Sequence, residues 1–228
     1  MYRISLSSLI LFSAATLLAL DAPWKTKPIS QWNEADAKQV LINSPWVKRV
    51  TPAVMPQQNE ALRRQSGQMG GGTGVGLEAF KLPTFFGGGS EGKEQVRPGA
   101  LTLRWESALP VRSAELKAGG PAAPAVGEGS FAIAVYGLPS ASVDGNVKLI
   151  SQNLRRLAGL KCTGKKELKP SHVDVIQDSD GVVLIYVFPR STQITTEEIL
   201  EFNAQIGRYY IAQPFATSEM QFQGKIEL

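Results

Sequence analysis

The sequence predicts an α+β domain: mainly an antiparallel sheet with one or two helices on one face, preceded by a flexible glycine-rich insert. Three observations carry this prediction. Short apolar stretches separated by turn residues recur through residues 99–228, as sequential antiparallel strands require. Asp180-Gly181 joins two of them, and an Asp-Gly pair supplies the positive φ of a tight hairpin. Residues 146–160 place Val147, Ile150, Leu154, Leu157 and Leu160 at three-to-four spacing, with Lys148, Gln152, Arg155 and Arg156 on other faces, which is the pattern of an amphipathic helix.

In chain order, Arg3 precedes an uncharged run over residues 4–20, the layout of an export signal with a basic start and an apolar core. Residues 1–20 are therefore read as a signal peptide, which places the rest of the chain in the periplasm or outside the cell. The residues before Pro23 match a cleavage site poorly, and a run of seventeen residues is at the short limit of a bilayer span. A retained anchor in the inner membrane is the alternative. The single cysteine, Cys162, excludes an internal disulfide framework and sits far from any lipid-attachment position. Nearby lysines favour its thiolate, although a loop thiol without a role is the plainer account.

Residues 21–52 form an extended lead-in with one short helix over 31–41, where Asn33 is the N-cap and acidic residues fill the first turn. Pro45 ends the element. Trp32, Val40, Leu41 and Trp46 are its docking residues, because so short a helix is not stable alone. Residues 53–98 are rich in glycine and lack any helical or strand period, which predicts a flexible insert. Residues 99–228 form the folded domain. Its expected strands are 100–106, 131–136, 172–177 and 182–188, followed by a meander over 199–206, 208–215 and 220–228, with a helical connector at 108–117 and a surface loop at 118–129.

Forty-three percent hydrophobic residues are too many for a disordered chain. The net charge of +4 is mild and gathers around Arg155, Arg156, Lys161, Lys165, Lys166 and Lys169. No aromatic side chains interleave with that patch, which argues against nucleic acid and leaves an envelope protein or an anionic polymer as the expected partner. A membrane partner is expected only if residues 4–20 are retained.

The motifs with chemical meaning are incomplete. Gly87 to Lys93 has phosphate-loop spacing, but Glu94 stands where a magnesium-binding hydroxyl belongs. The glycines at 72, 74 and 76 lack a surrounding βαβ unit. Asp178 and Asp180 open like a calcium loop without its closing glutamate, so a turn explains them. His172 is the only histidine, with Asp174 two residues on, and no nucleophile elbow accompanies it. Glu197, Glu198 and Glu201 read as capping and solvent-facing charge. No cofactor, metal or catalytic set is expected. The candidate ligand or partner surface comprises Arg104, Trp105, Glu106, Arg155, Arg156 and Arg190, with core packing and an edge ion pair as the structural alternative around Arg104 to Glu106.

Several stretches carry a resemblance. Gln31-Trp32 with Asp36-Ala37, Ser44-Pro45-Trp46, Leu103-Arg104-Trp105-Glu106-Ser107-Ala108, Phe188-Pro189-Arg190-Ser191 and the ending Phe222-Gln223-Gly224-Lys225-Ile226-Glu227-Leu228 resemble a group of exported bacterial proteins of unknown function, some bearing a GWxTD-domain label. The resemblance spans both ends and most of the C-terminal half, but not the glycine-rich insert. Gln31 stands where the label's glycine belongs, and Asn33-Glu34 replaces its Thr-Asp. It implies an exported protein and no particular activity.

These readings converge on a non-catalytic binding or structural domain of the envelope or secreted fraction. The alternatives are an extracellular hydrolase using Glu106 with Arg104, and a membrane-anchored assembly factor.

Overall fold

Every strand pair among the described residues is antiparallel, and the chain is sheet-dominant with a few helices, in keeping with the predicted α+β class. The computed structural model describes residues 22–55, 99–119, 127, 129–140, 147–178 and 181–228. The expected signal, the phosphate-loop-like and glycine-repeat segments, and the tip of the Asp-Gly hairpin lie outside the described residues.

The lead-in carries its helix with Asn33 as N-cap, but over Glu34–Asn43 rather than 31–41, and adds further elements. A short turn α1 (Pro23–Thr26) precedes α2 (Glu34–Asn43). Asn33 caps α2 in a reciprocal box: the Asp36 N–H donates to Asn33 Oδ1 (2.8 Å) and the Asn33 N–H to Asp36 Oδ2 (3.1 Å). The chain then adds an unpredicted strand, β1 (Val47–Val50). The stretch expected to be flexible from residue 53 begins with another, β2 (Ala53–Val54), because the Tyr209-Tyr210 backbone offers it a partner.

Beyond residue 99 follow β3 (Leu101–Trp105), α3 (Leu109–Ala118), β4 (Ser130–Leu138), α4 (Val147–Arg156), β5 (Ala158–Cys162), β6 (His172–Asp178), β7 (Gly181–Pro189), β8 (Ile199–Ile206) and β9 (Tyr209–Ala216). The small hairpin β10 (Gln221–Phe222) with β11 (Lys225–Ile226) follows them. Helix α3 ends on Gly119, whose φ of 70° suits a left-handed cap without a side-chain clash.

The strands form two main sheets where the sequence suggested one. The first runs β1-β3-β4-β7-β6 and the second β2-β9-β8-β5. Both have an apolar inner face. In β3, Leu101, Leu103 and Trp105 are buried while Thr102 and Arg104 are half-buried; in β8, Leu200, Phe202, Ala204 and Ile206 alternate in the same way. Rings cross the gap between the sheets edge to face. Phe202 meets Tyr186 at 5.2 Å and Phe188 at 6.2 Å, and Trp105 meets Phe215 at 5.4 Å. One continuous cluster joins both inner faces to Trp24, Trp32, Val40 and Trp46 of the lead-in, with Leu41 packed against it, so the lead-in is part of the core.

The amphipathic helix is shorter than its periodicity suggested. It stops at Arg156, and Leu160 belongs to β5. Backbone pairing decides this: Leu160 exchanges two hydrogen bonds of 2.9 Å with Leu168 and stands across from Phe202. Gly159, a poor helix former, lies where a Cβ would sit 2.1 Å from Glu167 Oε1, so a larger residue would displace that carboxylate. Of the expected helix face, Leu154 is buried on the helix, Leu160 is buried on β5, Ile150 packs partly, and Val147 and Leu157 are exposed.

Candidate functional site

The lead-in and the sheet edge enclose a groove of about 750 Å³. Its walls come from α1, the end of α2, residues 47–49 of β1 and the turn before β10. Proline accounts for the corner: Pro45 ends α2, and the Val47 N–H turns back to the Ser44 carbonyl (3.0 Å), which launches β1 along the groove. Trp46, on the opposite side, is anchored in the core by its Nε1–H to the Glu227 carbonyl (2.7 Å) and by an edge contact from Trp24.

The groove is cationic. Lys25, Lys48 and Arg49 line it against one carboxylate, Glu219, which lies 3.6 Å from Lys48. Ile42, at its rim, leaves 61% of its surface exposed. Two polar side chains of the wall lack a hydrogen-bond partner: Trp24 Nε1 and Ser44 Oγ, in residues only 8% and 5% exposed. Unpaired buried polar groups are rare and costly.

The residues singled out in the sequence separate into four places. Trp105 is a core residue with no exposed surface, so it forms no part of a ligand surface. Arg104 and Glu106 belong to a buried network on the other side of β3. Arg104 Nε binds Glu106 Oε1 (2.6 Å), and its Nη2 reaches both Glu115 of α3 and the Tyr136 hydroxyl of β4. The Tyr136 O–H donates to Glu106 Oε1 (2.6 Å), and the guanidinium lies 4.4 Å over the Tyr136 ring. Glu106 is fully buried, so the expected surface there is corrected to an internal polar cluster whose members hydrogen-bond one another across three elements.

That network perturbs its own titration. Burial, and then the Glu106 carboxylate, push Glu115 up to about 7 against the pull of Arg104. Burial opposes the charge on Arg104, yet Glu106, Tyr136 and Glu115 together hold its pKa above the ordinary range. Burial and Glu106 likewise raise Tyr136. Glu106 Oε2 and Glu115 Oε2 have no hydrogen-bond partner.

Arg155 and Arg156 are exposed at the end of α4. Arg190 stacks 4.6 Å over Phe131 and donates to the Leu228 carbonyl (2.8 Å), beside a hollow of about 370 Å³. The six candidates are thus not brought together.

Cys162 is a buried strand residue rather than a loop thiol. Its S–H donates to Glu198, which also binds Lys165 (2.5 Å). Burial first, and then Glu198, push the thiol up to about 11, so the expected thiolate is not favoured. Glu198, expected as solvent-facing charge, is held down to about 2 by hydrogen bonds from Cys162 and Lys165. On edge strand β6, His172 Nε2 lies 3.7 Å from Asp174 and its Nδ1 3.2 Å from Ser171 Oγ. Ser171 Oγ donates to the Val187 carbonyl (3.0 Å), and both His172 and Asp174 are more than half exposed, which is the environment of a surface contact.

Sequence reasoning missed Trp24, Ser44, Lys48 and Arg49. Val47 and Val50 bracketing two cations are the one signal of an edge strand there. No protein-family model, curated protein or solved structure matches the chain.

Proposed function

We propose that this chain is a non-catalytic binding domain working outside the cytoplasm, and that the groove along β1 recognises an anionic partner of the envelope. The observation that carries the reading is the groove itself, where three cations face one carboxylate beside two unpaired buried polar atoms. The export-signal pattern of residues 1–20 supplies the compartment, and the resemblance to exported bacterial proteins agrees with it. The test is binding of poly-glutamate to the chain by calorimetry at low and high salt. Binding that weakens at least about tenfold in a Lys25→Glu/Arg49→Glu double variant supports the reading. Unchanged binding in that variant rejects it.

A hydrolase reading would rest on the Glu106–Glu115 pair, with Glu115 holding a proton to about 7, the range a general acid needs. Those carboxylates and Arg104 line neither the β1 groove nor the hollows at Arg190 and Cys162. Their burial beside Arg104 favours a structural role, and turnover of an extracellular substrate that is lost in Glu106→Gln would reverse this preference.

A further inference from the structure

We infer that the groove takes an extended acidic peptide, added as a further strand to the free edge of β1. This rests on, and deepens, the reading of the groove as an anion-recognising surface.

The lining locates the ligand. Val47 and Arg49 stand across from Arg104 and Thr102 on one face of the sheet, and Lys48 across from Leu103 on the other. All three line the groove. A groove touched by side chains from both faces of a strand runs along its edge, not over either face. Among the described residues, β1 is the outermost strand of its sheet.

Hydrogen-bond alternation then says which backbone groups meet the ligand. The Trp105 N–H donates to the Trp46 carbonyl (2.9 Å), so Trp46, Lys48 and Val50 aim their peptide groups at β3. Val47 and Arg49 aim theirs the opposite way, into the groove. The Val47 N–H is already bonded to Ser44. The Val47 carbonyl and both backbone groups of Arg49 therefore face an incoming strand. Two alternate residues of an extended peptide would pair with them through three hydrogen bonds.

The side chains select the peptide. Lys25 and Arg49 are exposed cations, and Lys48 is shared with Glu219. A second copy of this edge would bring cations against cations, which disfavours self-pairing, whereas carboxylates on one face of a strand complement them. The exposed Ile42 at the rim, with the apolar body of Trp24, suits an aliphatic residue between the acidic ones. The ligand class is an extended segment in which acidic and aliphatic residues alternate.

The experiment uses the full chain in calorimetry with a capped alternating Glu/Val peptide of about eight residues. A counterpart carries the same side chains on N-methylated amides, and poly-glutamate is the charge-only probe. Strand addition predicts an affinity at least about tenfold lower for the N-methylated peptide. It also predicts a larger loss in Arg49→Pro, which removes the groove-facing N–H, than in Arg49→Gln, which removes only the charge. The Arg49 N–H is not part of the β3 ladder, and an amide spectrum of each variant checks that the fold is kept. Equal binding of both peptides, together with equal losses in the two variants, would overturn strand addition and leave electrostatic recognition standing. Failure of both peptides and of poly-glutamate to bind would overturn both. A concentration-dependent dimer abolished by Arg49→Pro would make a second copy the occupant and reject the acidic peptide.

Discussion

Replacing Glu115 by glutamine should make the chain more stable above neutral pH and flatten its pH dependence. In the folded state Glu115 keeps its proton up to about 7, against an ordinary value of 4.5. Between those pH values the folded chain binds a proton that the unfolded chain has released, so stability is full below 4.5 and is lost as pH rises through 7. At about 1.36 kcal/mol per pH unit, the interval sets a ceiling of about 3 kcal/mol. Solvent screening around a cluster whose Arg104 is 15% exposed reduces that to about 1–2 kcal/mol. Glutamine keeps an oxygen for Arg104 and presents an N–H₂ to Glu106, whose second oxygen has no partner. Urea unfolding of both proteins at pH 5 and pH 8 reads the effect. The variant should match the native chain within a few tenths of a kcal/mol at pH 5 and exceed it by about 1–2 kcal/mol at pH 8. An equal loss of stability between the two pH values in both proteins would refute the raised protonation of Glu115 in the Arg104 network.

Three further outcomes are expected. Asn33→Ala removes the side-chain acceptor of the Asp36 N–H, leaving only the backbone bond to Asp36 Oδ2, and should lower stability by about 1 kcal/mol in the same urea assay, loosening Trp32 and Val40 together. Tyr186→Phe removes a fully buried hydroxyl that has no partner, so it should leave the midpoint unchanged or raise stability by about 1 kcal/mol rather than lower it. Cys162, buried and pushed up to about 11, should react with iodoacetamide at pH 8 at least about a hundredfold more slowly than a free thiol. Glu198→Gln should narrow that gap by removing the carboxylate beside the sulfur.

Local chemistry made much of the fold legible. Asn33 with Asp36 marks a helix start whatever surrounds it, and the alternation of Leu101, Leu103 and Trp105 reports a strand with one buried face. The two strands expected on either side of residues 178–181 are present as β6 and β7, paired from His172↔Val187 to Asp178↔Gly181. What escaped depends on partners distant in sequence. Leu160 fits the helical spacing of Leu154 as well as it fits a strand, and only its bonds to Leu168 and its place opposite Phe202 decide between them. β1 is four residues long with two cations, and it reads as a loop until β3 is placed beside it. The division into two sheets follows from β5 pairing with β8 rather than with a neighbour, a choice no local signal reveals. At the site, Arg104 and Glu106 were visible as a polar pair. Glu115 and Tyr136 complete their network from α3 and β4, which turns a candidate surface into buried structure.

The most direct test of the central claim is an amide spectrum of the ¹⁵N-labelled full chain titrated with the alternating acidic peptide. Saturable shifts are expected to concentrate at Ser44, at residues 47–49 and at residues 218, 219 and 221, the borders of the β1 groove. Shifts confined to Arg155 and Arg156 on α4, or spread evenly over the surface, would contradict it.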